Sequence, residues 1–296
     1  MTPMPNPSRR ALTAGLLGLP LAGCVVVGPP AAQGPAARHA ALVIAADAAA
    51  GQVVDHLAAR ERVETEQAAA LRFGAGAMPR SPAAPVTPLV GQVLDPGMDL
   101  IVLQARRLAV LAGAGAATEG QEGAAMLARL DAALAGLRGL PGRWPAEAVR
   151  RRGVAGFGML AQPAPAGADA ASLAAARQQG LADAVALLRA LVGEDQRSGL
   201  RAALAQRHQA WREAQNAMLN AARNDRSLSG VDRMELWRAT QQRLAGDPPD
   251  VAAAELLRLL GALPAAHAAA GAGDAAGVEA FAAEVARFQA LAAQAR

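Results

Sequence analysis

Four histidines, one cysteine, five scattered serines beyond Ser8 and one adjacent pair of carboxylates are the side chains of this 296-residue chain that could carry chemistry. His39, His56, His208 and His267 could ligate a metal or shuttle protons, but no two of them stand three or four residues apart, so no zinc signature is present. Ser81, Ser172, Ser198, Ser227 and Ser229 lack the strand–turn–helix context of a nucleophile elbow. Glu194-Asp195 falls at a helix break, where a carboxylate caps the N-terminal dipole of the next helix. Gly153 to Gly158 holds three glycines with no strand before it, which reads as a turn and not as a phosphate loop. No acid, base and nucleophile converge, so neither an enzyme nor a bound cofactor or metal is expected.

Two polar patterns remain. His208, Arg212, Asn216, Asn220 and Asn224 recur every four residues, which advances about 400° per step and drifts slowly around a helix. Amides and a guanidinium in line could bind a glycan or a partner's backbone; the same row also fits a solvated face slanting away from Trp211 and Met218. Arg150-Arg151-Arg152, close to Trp144, could touch anionic headgroups or simply form a charged helix end.

The strongest pattern lies at the front. Arg9 and Arg10 precede a short apolar stretch from Ala11 to Ala22, and Leu21-Ala22-Gly23-Cys24 follows with the chain's one cysteine. Positive charge, a short apolar run and small residues make an export signal. The run is too short for a membrane span and is interrupted by Pro20 and glycines. Leu21-Ala22-Gly23-Cys24 resembles the lipobox of bacterial lipoproteins at all four positions. That resemblance implies a diacylglycerol thioether on Cys24, cleavage between Gly23 and Cys24, and a further acyl chain such as palmitate on the new amino group. Ser8-Arg9-Arg10-Ala11-Leu12 is similar to the twin-arginine signal, which carries folded proteins; two arginines also occur in general secretory signals. Val25 stands where an aspartate retains enteric lipoproteins in the inner membrane, so the resemblance implies the outer membrane, with the body facing the periplasm. Two or three acyl chains anchor effectively permanently, at about 0.8 kcal/mol per buried CH₂.

Composition narrows the rest. Positive charge comes from arginine alone, since the sequence holds neither lysine nor tyrosine. Almost nothing then titrates between His and Arg, so a net charge of only +4 lifts the pI to about 10.9. That small excess makes little field, and no aromatic-interleaved basic platform appears, so nucleic acid is not an expected partner. Leucine-rich amphipathic stretches exclude wholesale disorder. With aromatics at 2 %, the core must come from Leu, Val and Ala.

Residues 24–37, punctuated by Gly and Pro, read as a tether, and 38–296 as one helical domain. A long first helix carries Leu42, Ala46, Ala49, Val53, Leu57 and Leu71 on one stripe and ends near Gly74. Residues 74–97, with five prolines, read as an irregular loop that could include a short extended piece around Leu89 to Leu94. Asp95-Pro96 reads as the start of a helix from Met98 to Leu111. Leu127, Leu130, Leu134 and Leu137 form the next stripe, and Trp144-Pro145 opens a short helix to Arg152. Residues 161–168 read as a second linker. Four longer helices follow: one with Leu173, Leu181, Ala184, Leu188 and Leu191, one capped by Asp195, one opened by Ser229 and Asp232 with Val231, Met234, Trp237, Gln241 and Leu244 on its stripe, and one capped by Asp250. A last helix, capped by Asp274, carries Val278, Phe281, Val285, Phe288 and Ala292.

The expected fold is therefore all-α, an antiparallel bundle of eight or nine helices. The expected role is a non-catalytic, lipid-anchored envelope protein whose body meets an envelope protein or a glycan, with His208, Arg212, Asn216 and Asn220 as candidate contacts. A carrier enclosing an apolar ligand between its Leu/Ala-rich helices is the alternative.

Overall fold

Alanine and leucine lead the helix-propensity scale, and their spacing here is helical nearly throughout. The computed structural model describes residues 34–74, 84–114, 121–137 and 144–294, and among them every regular element is an α-helix. In chain order these are α1 (Pro35–Gly74), α2 (Thr87–Leu111), α3 (Gln121–Gly136), α4 (Glu147–Ala161), α5 (Ala170–Val192), α6 (Gly199–Asn224), α7 (Gly230–Leu244), α8 (Pro249–Ala272) and α9 (Ala275–Gln294). The leader, Gly23, Cys24 and the tether as far as residue 33 lie outside the described residues.

α1 and α2, α2 and α3, α3 and α4, α4 and α5, and α8 and α9 pack as antiparallel pairs. Glu61 of α1 meets the start of α2, while Val54 faces Gly91 further along it. Arg129 of α3 reaches Asp99 of α2 at 2.9 Å. Arg258 and Glu255 of α8 pair with Glu284 and Arg287 of α9. The exception is α6, which lies beside α1 and runs the same way, since Arg207, His208 and Trp211 meet Glu61, Glu64 and Gln67 in order. One apolar core joins α1, α2, α3, α4, α5, the start of α6 with Leu200 and Leu204, α8 and α9, and a small second cluster of Ala68, Trp211 and Ala214 sits under Leu71 and Leu244. The expected stripes of α1, α5 and α9 are buried in that core, except Leu71, which is half-buried on the second cluster. α1 and the stretch Gly230–Ala272 are long and apolar enough to cross a membrane, but 56 % and 44 % of their most apolar windows are buried within the body. A core helix meets the same test.

Several boundaries correct the expectation. The tether ends sooner, because α1 begins at Pro35, a residue suited to a first helical turn, and Ala36 is already buried. The loop expected over 74–97 is shorter, because α2 starts at Thr87. Pro88 falls in its first turn, where a missing N–H costs nothing. Pro96, expected to open a helix, lies inside α2. Val90, Val93, Leu94, Met98, Leu100, Ile101 and Leu103 are all buried. Their burial, at about 1.5–3 kcal/mol per large side chain, outweighs a proline cost of about 3 kcal/mol.

Gly153 to Gly158 is no turn but the middle of α4, which runs on to Ala161. The glycines are needed for contact. A Cβ on Gly153 would collide with the Leu187 side chain, and one on Gly156 would collide with the Gly180 carbonyl and stand 3.0 Å from Ala184 N. α4 and α5 thus cross at nearly backbone distance, antiparallel, with Phe157 and Leu160 buried beside the crossing. Asp195 does not cap α6. Ser198 stands at that position, and the Asp195 carboxylate accepts from Arg197 N–H and the Ser198 hydroxyl in the preceding turn. Asp250 is likewise not the cap of α8: Pro248 is, and the buried Asp250 accepts from the Gln196 amide at 2.6 Å. The capping box of Ser229 and Asp232 forms as expected. α7 then turns outward most of the face expected to pack: Val231, Met234, Trp237 and Gln241 are exposed, whereas Leu244 of that stripe packs on the second cluster, with Thr240 buried and Leu236 half-buried.

Candidate functional site

Glu61, Glu64 and Gln67 follow one another at three-residue spacing, which keeps them on one side of α1. Opposite them stand Arg207, His208 and Trp211 of α6. Glu61, 1 % exposed, accepts the backbone N–H groups of Val86 and Thr87, each at 2.9 Å, and pairs with Arg207 at 2.8 Å. It therefore caps α2 from another helix, where Val86 offers no side-chain cap. Arg207 also donates to the Ala84 carbonyl. Glu64 Oε1 accepts from Arg60 and from His208 Nδ1, both at 3.0 Å, and Trp211 Nε1 donates to Gln67. The His208 ring lies tilted against Trp211, centroids 5.3 Å apart.

A histidine on a carboxylate is the core of many proton shuttles, but here both groups are buried and no hydroxyl or thiol nucleophile joins them. The arrangement holds helices together. It also divides the four-residue row of α6. His208 turns inward to Glu64, whereas Arg212, Asn216, Asn220 and Asn224 are exposed. The three carboxylate and amide positions on α1 were not singled out in the sequence, although polar residues at regular spacing beside Leu57, Ala68 and Leu71 were the available signal.

A second buried polar pair joins α1 and α8. The rings of His39 and His267 meet edge-on at 6.2 Å, with Phe281 of α9 6.0 Å from His39. His39 Nδ1 and His267 Nε2 have no hydrogen-bond partner. Burial, then the neighbouring His267, pushes His39 down to about 3; burial, partly offset by a backbone hydrogen bond at Ala174, pushes His267 down to about 4. Both rings are thus neutral in the fold and would charge near 6.5 once unfolded. The unfolded chain binds more protons below 6.5, so stability falls as pH drops from 6.5 towards 4, by up to about 1.4 kcal/mol per pH unit for each ring. Urea midpoints at pH 7 and pH 5.5 should therefore diverge more in the parent than in a His39→Leu, His267→Leu double variant. Equal shifts in the two proteins would refute this.

Two arginines close the end of α4. Arg107, 6 % exposed, donates to the carbonyls of Leu160, Ala161 and Gln162, and Arg177 donates to Gln162 Oε1 and the Pro163 carbonyl. Cations at a helix C-terminus suit its dipole. Burial holds both guanidiniums below their usual range, and for Arg107 the nearby Arg177 adds to this. In the triplet expected near headgroups, Arg150 pairs with Glu147 at 3.6 Å, and Arg151 and Arg152 are exposed.

Two grooves flank α3. One, of about 460 Å³, runs between α3 and α4 over Leu134 and Val154, with Asp131, Glu147, Arg150 and Arg151 at its rim. A smaller recess of about 150 Å³ adjoins it through Leu134 and Arg150 and is walled by Trp144 and Leu191. The other, of about 440 Å³, lies between α2 and α3 beside Gln92, Asp95 and Arg129. Both large grooves open to solvent. Among the described residues no group of three or more His, Cys, Asp or Glu could hold a metal ion. No protein-family model matches the chain, nor does any curated protein or solved structure.

Proposed function

We propose that this chain is a lipid-anchored, non-catalytic protein of the bacterial cell envelope, exported by its leader, acylated on Cys24 and facing the periplasm, with a helical body that meets other envelope components. The observation that carries this reading is Leu21-Ala22-Gly23-Cys24 after Arg9-Arg10 and a short apolar run. The body's chemistry is compatible with it. The buried titratable clusters at Glu61, Glu64, Arg207 and His208 and at Arg107 and Arg177 are spent on capping and bridging helices. Exposed Arg212, Asn216 and Asn220, aligned on α6, are the candidate contacts for a protein or glycan. The twin-arginine route and the outer membrane belong to the same proposal.

Cys24→Ser should move the protein from the membrane fraction to the soluble fraction and remove the mass of the acyl groups from the mature chain. In-cell crosslinking of the parent should recover an envelope component, and Asn216→Arg with Asn220→Arg should reduce that yield several-fold. An intact mass showing an unmodified Cys24 in an uncut chain would overturn the reading. A carrier role is the second reading, favoured by the joined recess over Leu134, Leu137, Trp144 and Leu191, whose larger part falls in the volume range of small-molecule sites. Co-purified lipid seen by native mass spectrometry would support it.

A further inference from the structure

The outward stripe of α7 is the feature that neither the core nor the polar clusters absorb. Val231, Met234 and Trp237 are 60 %, 47 % and 54 % exposed. Arg238 is exposed beside them, and Arg223, Arg226 and Arg243 are exposed at the same corner of the molecule. Among the acids there, Asp225 accepts from Ser227 and Asp232 closes the capping box, while Glu235 is exposed on the same face, between Val231 and Arg238. The corner is thus an apolar stripe with arginines and one exposed carboxylate at its edge, and the arginines suit the headgroup boundary of an anionic bilayer.

Size points the same way. Three side chains are far short of the roughly 800 Å² per partner of a stable protein interface. A surface already held at a membrane needs only a weak contact, because anchoring raises its effective concentration. The eleven residue steps from Cys24 to Pro35 reach at most about 40 Å. α1 is about 60 Å long, and α7 lies towards its far end, where Leu244 joins Leu71 over Trp211. Held upright, the body would carry α7 away from the anchoring bilayer; laid along it, the body brings α7 to the surface.

We propose that the outer face of α7 is a bilayer contact, with Val231, Met234 and Trp237 entering the headgroup boundary of an anionic phospholipid membrane and Arg238 on its phosphates, so that the anchored body lies along the membrane. Only the anchoring rests on the lipoprotein reading; the contact itself is a property of α7.

The test therefore removes the anchor. Residues 33–296 form one compact unit, so residues 24–296 carrying Cys24→Ser are mixed with vesicles of phosphatidylcholine alone or with one-third phosphatidylglycerol. The expected result is cosedimentation with the anionic vesicles only and a blue shift of tryptophan emission. Met234→Ser with Trp237→Ser should lower partitioning at least ten-fold, as should Arg238→Glu, with unchanged circular dichroism and melting. Trp237→Phe should keep the binding and lose most of the emission shift. Equal partitioning of parent and Met234→Ser, Trp237→Ser protein overturns the proposal. So does a concentration-dependent dimer of the parent that the same variant abolishes, since the stripe would then be covered by a second copy. An unmodified Cys24 in cells, with vesicle binding intact, would sink the lipoprotein reading and leave this one standing.

Discussion

Glu61→Ala is expected to destabilise the protein by about 3–5 kcal/mol, the usual cost of breaking a buried ion pair from one side. The carboxylate accepts the first N–H groups of α2 and pairs with Arg207, whose side chain is only 17 % exposed. Its removal strands all three donors at once. Glu61→Gln keeps one acceptor oxygen and the side-chain volume, so it should cost less, about 1–3 kcal/mol. Urea unfolding followed by circular dichroism gives both values. If Glu61→Ala costs under about 1 kcal/mol, water serves the start of α2 and the cross-helix cap is unimportant.

The second large effect concerns the crossing of α4 and α5. Gly156→Ala should destabilise by about 2 kcal/mol even though alanine is the better helix former by about 1 kcal/mol. The new Cβ would strike the Gly180 carbonyl and stand 3.0 Å from Ala184 N. Both obstacles are backbone, so no rotamer change relieves them and the helices must separate. Gly158→Ala, two residues on in the same helix, is the control. Its Cβ would meet only Leu127 Cδ2 at 4.0 Å, so the propensity gain should appear as a rise in stability of up to about 1 kcal/mol. Thermal melts of the two variants should move in opposite directions. Two rises would mean that the crossing is looser than its glycines indicate.

These two sites also mark where sequence reading stops. The stripes of α1, α5 and α9 were legible because Leu, Val, Phe and Ala recur there at helical period and each helix buries one face. Prolines and glycines were legible only in part. Pro88 read as a loop residue and Pro96 as a helix start, yet one occupies a first turn and the other lies inside the same helix, carried by burial on both sides. Gly153 and Gly156 read as a turn because local conformational freedom and close helix contact demand the same residue. The inner face of α7 was right at Leu244 and wrong at Val231, Met234 and Trp237, because these outweigh Leu236 and Thr240 in any hydropathy count.

What the amino-acid order alone determined is the helical class and the positions of most helices, since each depends on neighbours a few residues apart. The tertiary structure decided that His208 would sit buried on Glu64, that Glu61 would cap a helix starting 26 residues later, and that Val231, Met234 and Trp237 would stay uncovered. The physical reason is one of range. Helical period fixes which residues share a face, but which face is covered depends on the helices that pack against it, and their choice is made by shape and burial across the whole chain.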